Sequence, residues 1–265
     1  MAKLINIFFV GDINGKPGMT LISTLLKQYI QKYEIDFCVV NGENATEGKG
    51  IDEADAKTLF ELGVHVITTG NHLWDRWQAK ALISKERNIL RPLNYPKENP
   101  GNGFVLYDLK EKGHIGVINL QGRTYMQTID DPFKAADWVL SRIANDTKVV
   151  LIDMHAEATA EKMALAWHLD GRVSAFVGTH THIPTSDARI LPKGTAYITD
   201  VGMSGPYDSV IGMKKEIAIR RFQFQTPYKF ELAEHDVRMC AVFIQVDGET
   251  GKAVKIEQVI FPSFQ

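Results

Sequence analysis

Five short apolar runs, rich in Val, Ile and Phe, punctuate the chain, and each stops at a residue able to ligate a metal. Ile7-Phe8-Phe9-Val10 leads into Gly11-Asp12, and Phe37-Cys38-Val39-Val40 into Asn41-Gly42-Glu43-Asn44. Val66-Ile67-Thr68-Thr69 leads into Gly70-Asn71-His72, and the run from Val149 to Met154 into His155. The fifth, Ala175-Phe176-Val177-Gly178, opens into Thr179-His180-Thr181-His182. Runs of this length and composition read as buried strands, and sites in open α/β sheets lie beyond the carboxyl ends of strands. If the strands share a sheet, oxygen and imidazole donors from distant parts of the chain converge on one rim. The pattern points to a metal-dependent enzyme.

The segments between these runs set the fold class. A strand near residues 4–10 precedes a helix starting around Pro17, whose fixed φ suits a first helical position, with Leu21, Leu25, Leu26 and Tyr29 on one face. A strand at 36–40 precedes a helix at about 52–62 that stops at Gly63, a strand at 64–68 and a short helix around 75–84. Two apolar segments within 103–119 flank a Lys110-Glu111-Lys112-Gly113 turn and read as an antiparallel hairpin. Helices at about 132–144 and 159–169 flank a strand at 148–154. Further strands are expected at 196–199, 228–232, 237–246 and 253–260, with a Gly-rich loop at 202–213 and a helix at 214–222. With no repeat or composition break, the expectation is a single α/β domain over 1–265, two sheets packed face to face with helices outside.

Hydrophobic residues at 45% and charged residues at 23% supply a substantial core, so no small-scaffold device is needed. The net charge of -2 gives no global attraction to nucleic acid, so an anionic substrate needs a local cationic centre. Cys38 and Cys240 lie far apart, form no CxxC and read as buried free thiols, which suits a reducing cytoplasm. The start of the chain lacks a signal-peptide pattern, and no stretch approaches the roughly 18 apolar residues needed to span a membrane. A cytoplasmic protein with no membrane partner is expected.

Thr179-His180-Thr181-His182 is the sharpest local motif, because residues two apart in an extended segment point the same way. Taken singly, every candidate has an ordinary alternative. His180 and His182 could be exposed loop histidines, Asp12 a helix cap or turn former, Asn71 with His72 a strand exit, and His155 a satisfied core histidine. Glu43 is harder to explain as a turn, since Glu is a poor turn residue. Their joint occurrence at five strand exits favours a metal site. Gly11 to Pro17 has glycines too close together for a phosphate loop and lacks its Ser or Thr. His65, His114, His168 and His235 have no ligand-rich neighbours and read as structural or surface residues. Arg123, after the hairpin, is a candidate phosphate contact, with a solvated loop arginine as the equal alternative. Asp200 reads as a turn residue near the site, and Phe222 and Phe224 as interface or core.

The ordered set of Gly-Asp, a strand-terminal acidic motif, Gly-Asn-His, a later single His and His-x-His resembles the calcineurin-like metallophosphoesterases. Their usual Asp-x-His is Asp12-Ile13-Asn14 here, and their usual bridging Asp is Glu43. Both departures are similar to the YmdB-like phosphodiesterase branch. That similarity extends to Asn119-Leu120-Gln121-Gly122-Arg123-Thr124, Asp153-Met154-His155-Ala156-Glu157 and Ile198-Thr199-Asp200-Val201-Gly202-Met203.

The resemblance implies a four-layer αββα sandwich of two mixed sheets and two metal ions per chain, iron or manganese first and zinc as a further option. It implies that Asp12, Glu43, Asn44 and His182 hold one ion. Glu43 would bridge to a second ion held by Asn71, His155 and His180, with His72 as proton donor. The implied activity is hydrolysis of cyclic nucleotides, 2′,3′-cyclic nucleoside monophosphates foremost, by in-line attack of a metal-bridging hydroxide. A phosphomonoesterase or nucleotidase on the same site stays open, as does a non-catalytic metal- or RNA-binding regulatory protein. Nucleic acid and a second copy of the chain both remain among the partners to be tested.

Overall fold

Strand side chains alternate between two faces, so a strand apolar on both faces must be covered on both. The structure, a computed structural model, describes residues 3–264. In chain order its first half comprises β1 (Leu4–Val10), α1 (Gly15–Lys32), β2 (Phe37–Asn41), α2 (Glu53–Glu61), β3 (Val66–Thr68), α3 (Ala79–Lys85), β4 (Ile89–Leu90), β5 (Phe104–Asp108) and β6 (His114–Gln121). Then follow α4 (Pro132–Ile143), β7 (Val149–His155), α5 (Thr159–Leu169), β8 (Ala175–Thr179), β9 (Arg189–Ile190), β10 (Ala196–Ile198), β11 (Gly205–Pro206), α6 (Lys215–Phe224), β12 (Val237–Asp247) and β13 (Ala253–Phe261).

One sheet has the order β11-β12-β1-β2-β3-β4, with β13 also paired to β12. It is parallel from β1 to β4, and β12 runs antiparallel to β1. The other has the order β5-β6-β7-β8-β10-β9, parallel from β6 to β10 with an antiparallel strand at each edge. In β1 the odd positions Ile5, Ile7 and Phe9 pack between the sheets against Val117, Leu151 and Val177 of the second sheet. Phe8 and Val10 face outward onto Ile22 and Leu26 of α1. On the far side Ile152 and Phe176 pack with Val139 of α4 and Leu165 of α5. These three apolar layers make the expected four-layer sandwich. Phe8 and Phe9 are both fully buried on opposite faces, each contributing roughly 1.5–3 kcal/mol.

Several expectations are corrected. Residues 228–232 form no strand; Leu232 makes only an isolated bridge to Met213. The helix expected at 75–84 splits into a 3-10 turn at Leu73–Asp75 and α3, because Arg76 is extended. The short strands β4, β9 and β11 carry no pattern long enough to read. Phe222 and Phe224 are exposed on α6, which rules out the core alternative. Cys38 and Cys240 are buried free thiols, as expected. Among the described residues, no helix is long and apolar enough to cross a membrane.

Candidate metal centre

The two sheet rims meet because several strands carry their inward-facing phase beyond the apolar core. Phe37 and Val39 are followed in that phase by Asn41, Val66 by Thr68, Leu151 by Asp153 and His155, and Val177 by Thr179. All five polar side chains are fully buried. Asp153 Oδ2 accepts from Asn41 Nδ2 at 2.9 Å and from Thr68 Oγ1 at 2.5 Å, across the gap between the sheets. Its Oδ1 accepts from Thr179 Oγ1 at 2.7 Å. One carboxylate thus ties the exits of β2 and β3 to those of β7 and β8.

Around this floor stand the predicted donors, in two groups. Donors sharing one ion at about 2.1 Å lie about 3.0 Å apart in an octahedral shell and about 3.4 Å apart in a tetrahedral one. In the first group, Asn71 Oδ1 and His180 Nδ1 each lie 3.1 Å from His155 Nε2, and Glu43 Oε1 lies 3.5 Å from it. In the second, the Asn44 amide lies 3.0 Å from His182 Nε2, and Asp12 Oδ1 lies 3.9 Å from the same nitrogen. A half-turn of the Asn44 amide would present its oxygen at that point. Counting only His, Cys, Asp and Glu, no three among the described residues already surround one point. Each converging group includes an asparagine amide.

Hydrogen bonds choose the tautomer of each ring. Thr179 donates its proton to Asp153, so it accepts from His155 Nδ1 at 3.0 Å and leaves His155 Nε2 with a lone pair. His182 Nδ1 donates to the Ile211 carbonyl at 2.9 Å, which leaves Nε2 facing the second group. His180 Nε2 pairs with Glu157 at 3.2 Å, so its Nδ1 is the unprotonated nitrogen. His155 Nε2 and His180 Nδ1 therefore face each other lone pair to lone pair. Such an approach repels unless a cation takes both.

Burial sharpens the imbalance. Asp12 and Glu43 are fully buried, and Asp12 Oδ1 and Glu43 Oε2 have no hydrogen-bond partner among the described residues. Desolvation, with a smaller push from Asp200, raises the Asp12 pKa to about 7. Desolvation also lifts Glu43 well above the carboxylate range. The same cause pushes His155 well down, His180 to about 4 and His182 down. Buried carboxylates lacking partners beside neutral imidazoles are a donor set that fits divalent cations.

A pH dependence follows from these shifts. A cation must displace the protons that Asp12 holds below about pH 7, whereas His180 takes none up until about pH 4. Apparent Mn²⁺ affinity is therefore expected to fall about tenfold per pH unit per displaced proton below neutrality. Calorimetric titration at several pH values measures this, and a flat profile between about pH 5 and about pH 7 would contradict it.

The structure brings all eight predicted residues, His72 included, to this rim. The His72 backbone N–H donates to Glu43 Oε1. Its Nδ1 lies 2.9 Å from Asp75 Oδ2, and the ring is one-third exposed at 33%. Gly70 permits a close approach: a Cβ there would stand 2.1 Å from the His155 ring. Arg123 does not join the cluster; its guanidinium pairs with Asp131 at 3.2 Å. His65 Nδ1 accepts from the Cys38 N–H, His168 pairs with Asp137, and His114 and His235 are exposed.

Asp200 is a turn residue beside the site, its Oδ1 accepting from the Gly202 N–H at 2.9 Å. It is also a fully buried carboxylate paired with the buried Lys162 at 2.8 Å, which the turn reading did not foresee. Asp153, Asn41 and Lys162 were also missed by sequence reasoning. Polar residues at the inward phase of apolar strands are the signal that marks the first two. His180 and His182 both have positive φ, 99° and 67°, at a cost of order 1–3 kcal/mol each.

A two-sheet αββα sandwich with imidazole, amide and carboxylate donors meeting at one rim defines a protein of the metallophosphoesterase type. The chain belongs to the YmdB-like protein family, whose model matches residues 8–259. A 2′,3′-cyclic-nucleotide 2′-phosphodiesterase of Bacillus subtilis (strain 168) is 46% identical over 254 residues, covering 96% of both chains. A solved structure described as a novel phosphatase of Mycoplasma pneumoniae matches with a TM-score of 0.94 at 37% identity, covering 98% of this chain and 94% of the other. A hypothetical protein from Thermus thermophilus matches with a TM-score of 0.91 at 40% identity, covering 97% of this chain and 99% of the other.

Proposed function

We propose that the chain is a dinuclear metal-dependent phosphodiesterase acting on cyclic nucleotides, with 2′,3′-cyclic nucleoside monophosphates as the preferred class. The reading is carried by the two groups of converging donors and by the buried carboxylate oxygens of Asp12 and Glu43, which have no partner among the described residues. The substrate class rests on likeness to the Bacillus subtilis relative. Asp12, Glu43, Asn44 and His182 would hold one ion, and Glu43, Asn71, His155 and His180 the other. Iron or manganese suits this mixture of oxygen and imidazole donors, with zinc also compatible. When bound, the ions supply Lewis acidity toward phosphate oxygens and a lowered pKa for water.

The chain's own residues do the rest. Strand exits fix the donors before substrate arrives, so little reorganisation is needed during reaction. Asp75 holds His72 Nδ1, which presents Nε2 as the nitrogen that gives a proton to the departing sugar oxygen. The apolar layer between the sheets closes the floor behind the donors to water.

Elemental analysis of purified protein, beside hydrolysis of 2′,3′-cyclic nucleotides with and without chelator, tests the reading. Two ions per chain and chelator-sensitive diester hydrolysis are expected. The description of the Mycoplasma pneumoniae structure as a phosphatase favours a second reading on the same centre, a phosphomonoesterase. Faster turnover of nucleoside monophosphates than of cyclic diesters would establish that alternative. Salt-dependent RNA retention without hydrolysis, even with metal supplied, would overturn both.

A further inference from the structure

His180 and His182 stand on left-handed backbone, which L-residues adopt only when their surroundings compel it. The His180 N–H donates to Asp12 Oδ2 at 3.2 Å and the His182 carbonyl accepts from the Met203 N–H at 3.1 Å. The residue between the two histidines, Thr181, is held by a third anchor. Its backbone N–H donates to Asp200 Oδ2 at 3.0 Å and its hydroxyl donates to the same oxygen at 2.8 Å. Lys162 Nζ, from α5, supplies a third donor to that oxygen at 2.8 Å. The other oxygen, Oδ1, accepts from the Gly202 N–H at 2.9 Å. Asp200 is itself fixed, since its N–H donates to Thr185 Oγ1 and its carbonyl accepts from the Thr185 N–H, both at 3.0 Å. Lys162 and Asp200 are fully buried, and their side chains bond to each other, Thr181 and Gly202 rather than to the candidate ligands.

A buried ion pair is a poor source of net stability, because desolvating both charges offsets their attraction. Structural need alone therefore does not explain burying a lysine beneath this loop. The geometry points to a different role: Lys162 and Asp200 are positioning residues that hold the His180–His182 turn in its ligating conformation through Thr181, and so set the rim's affinity for divalent metal. This inference rests on the metal reading of the site. It adds a layer behind the ligands, comparable to the outer partners whose loss typically weakens metal binding about 10- to 100-fold.

The test uses full-length, metal-depleted protein and calorimetric titration with Mn²⁺, alongside melting of the metal-free proteins. Lys162→Met combined with Asp200→Asn removes both charges and weakens the acceptor for the Thr181 N–H, without stranding a buried lysine. Thr181→Ala removes one of the three bonds to Asp200 Oδ2 and leaves the ion pair intact. Mn²⁺ affinity is expected to fall about 10- to 100-fold in the double variant and several-fold in Thr181→Ala, with little change in metal-free melting. Affinities within twofold of wild type would overturn the positioning role, whatever the melting temperatures. If the double variant does not fold, Thr181→Ala decides by the same criterion. Failure of the wild-type protein to bind Mn²⁺ is a distinct result, which overturns the metal reading and the positioning role with it.

Discussion

Glu43→Ala is expected to abolish two-metal occupancy and to lower kcat/KM on a cyclic diester by about 10³-fold or more. The proposed bridging role falls to its carboxylate: Oε1 lies 3.5 Å from His155 Nε2, and Oε2 is buried without a partner among the described residues. Metal ions contribute several kcal/mol of transition-state charge stabilisation, and at about 1.36 kcal/mol per decade that amounts to about three decades. The fold should survive. Desolvation drives the Glu43 pKa well up, so burial of this side chain is costly without a cation, and its removal offsets part of the cavity left behind. Metal-free wild type and variant should then melt close together, while only wild type is stabilised by added Mn²⁺. At an ion concentration of about 100 Kd that stabilisation is about 2.7 kcal/mol, or roughly 5–10 °C for a chain of this size. Full occupancy by two ions in the variant would contradict the bridging role.

The candidate ligands were legible because their chemistry is concentrated at strand exits, where a polar residue follows an apolar run and only a few residue types occur. Sheet topology then does the assembling, and parallel strands put all their exits on one side. Segment 228–232 shows the limit of the same logic. Tyr228-Lys229-Phe230-Glu231-Leu232 does alternate, but alternation reports burial of one face, not the presence of a pairing strand. Phe230 and Leu232 instead pack over Gly48, and Leu232 also over Gly15, two glycines with no side chain of their own to fill that space. The ion pair of Asp200 went unseen for a related reason. An aspartate after a strand is an ordinary turn signal, and its partner Lys162 lies 38 residues away. Asp153 was hidden inside a run counted as apolar. Its phase, shared with Leu151 and His155, could have disclosed it, because an inward-facing carboxylate in a buried strand must meet donors from the opposite sheet.

The resemblance carried the assignment of His72, and its role can be separated from metal binding by choice of leaving group. His72→Ala is expected to retain both ions, because the contact between residue 72 and Glu43 is made by the backbone N–H, which alanine keeps. A departing sugar alkoxide needs a proton, and losing the general acid should slow such a substrate about 10²- to 10⁴-fold. A nitrophenyl phosphodiester leaves as a stable anion, so its hydrolysis should fall less than about tenfold. Asp75→Asn should produce a smaller loss with the same selectivity, since it leaves the His72 ring in place and weakens the group that holds Nδ1 at 2.9 Å, along with an exposed pair to Lys49. Equal losses on both substrates would mean that His72 acts before chemistry, on binding or on the metals, and the proton would have to come from elsewhere. A selective loss with metal content unchanged would leave proton transfer as the one role consistent with a half-buried ring anchored by Asp75 beside the donor cluster.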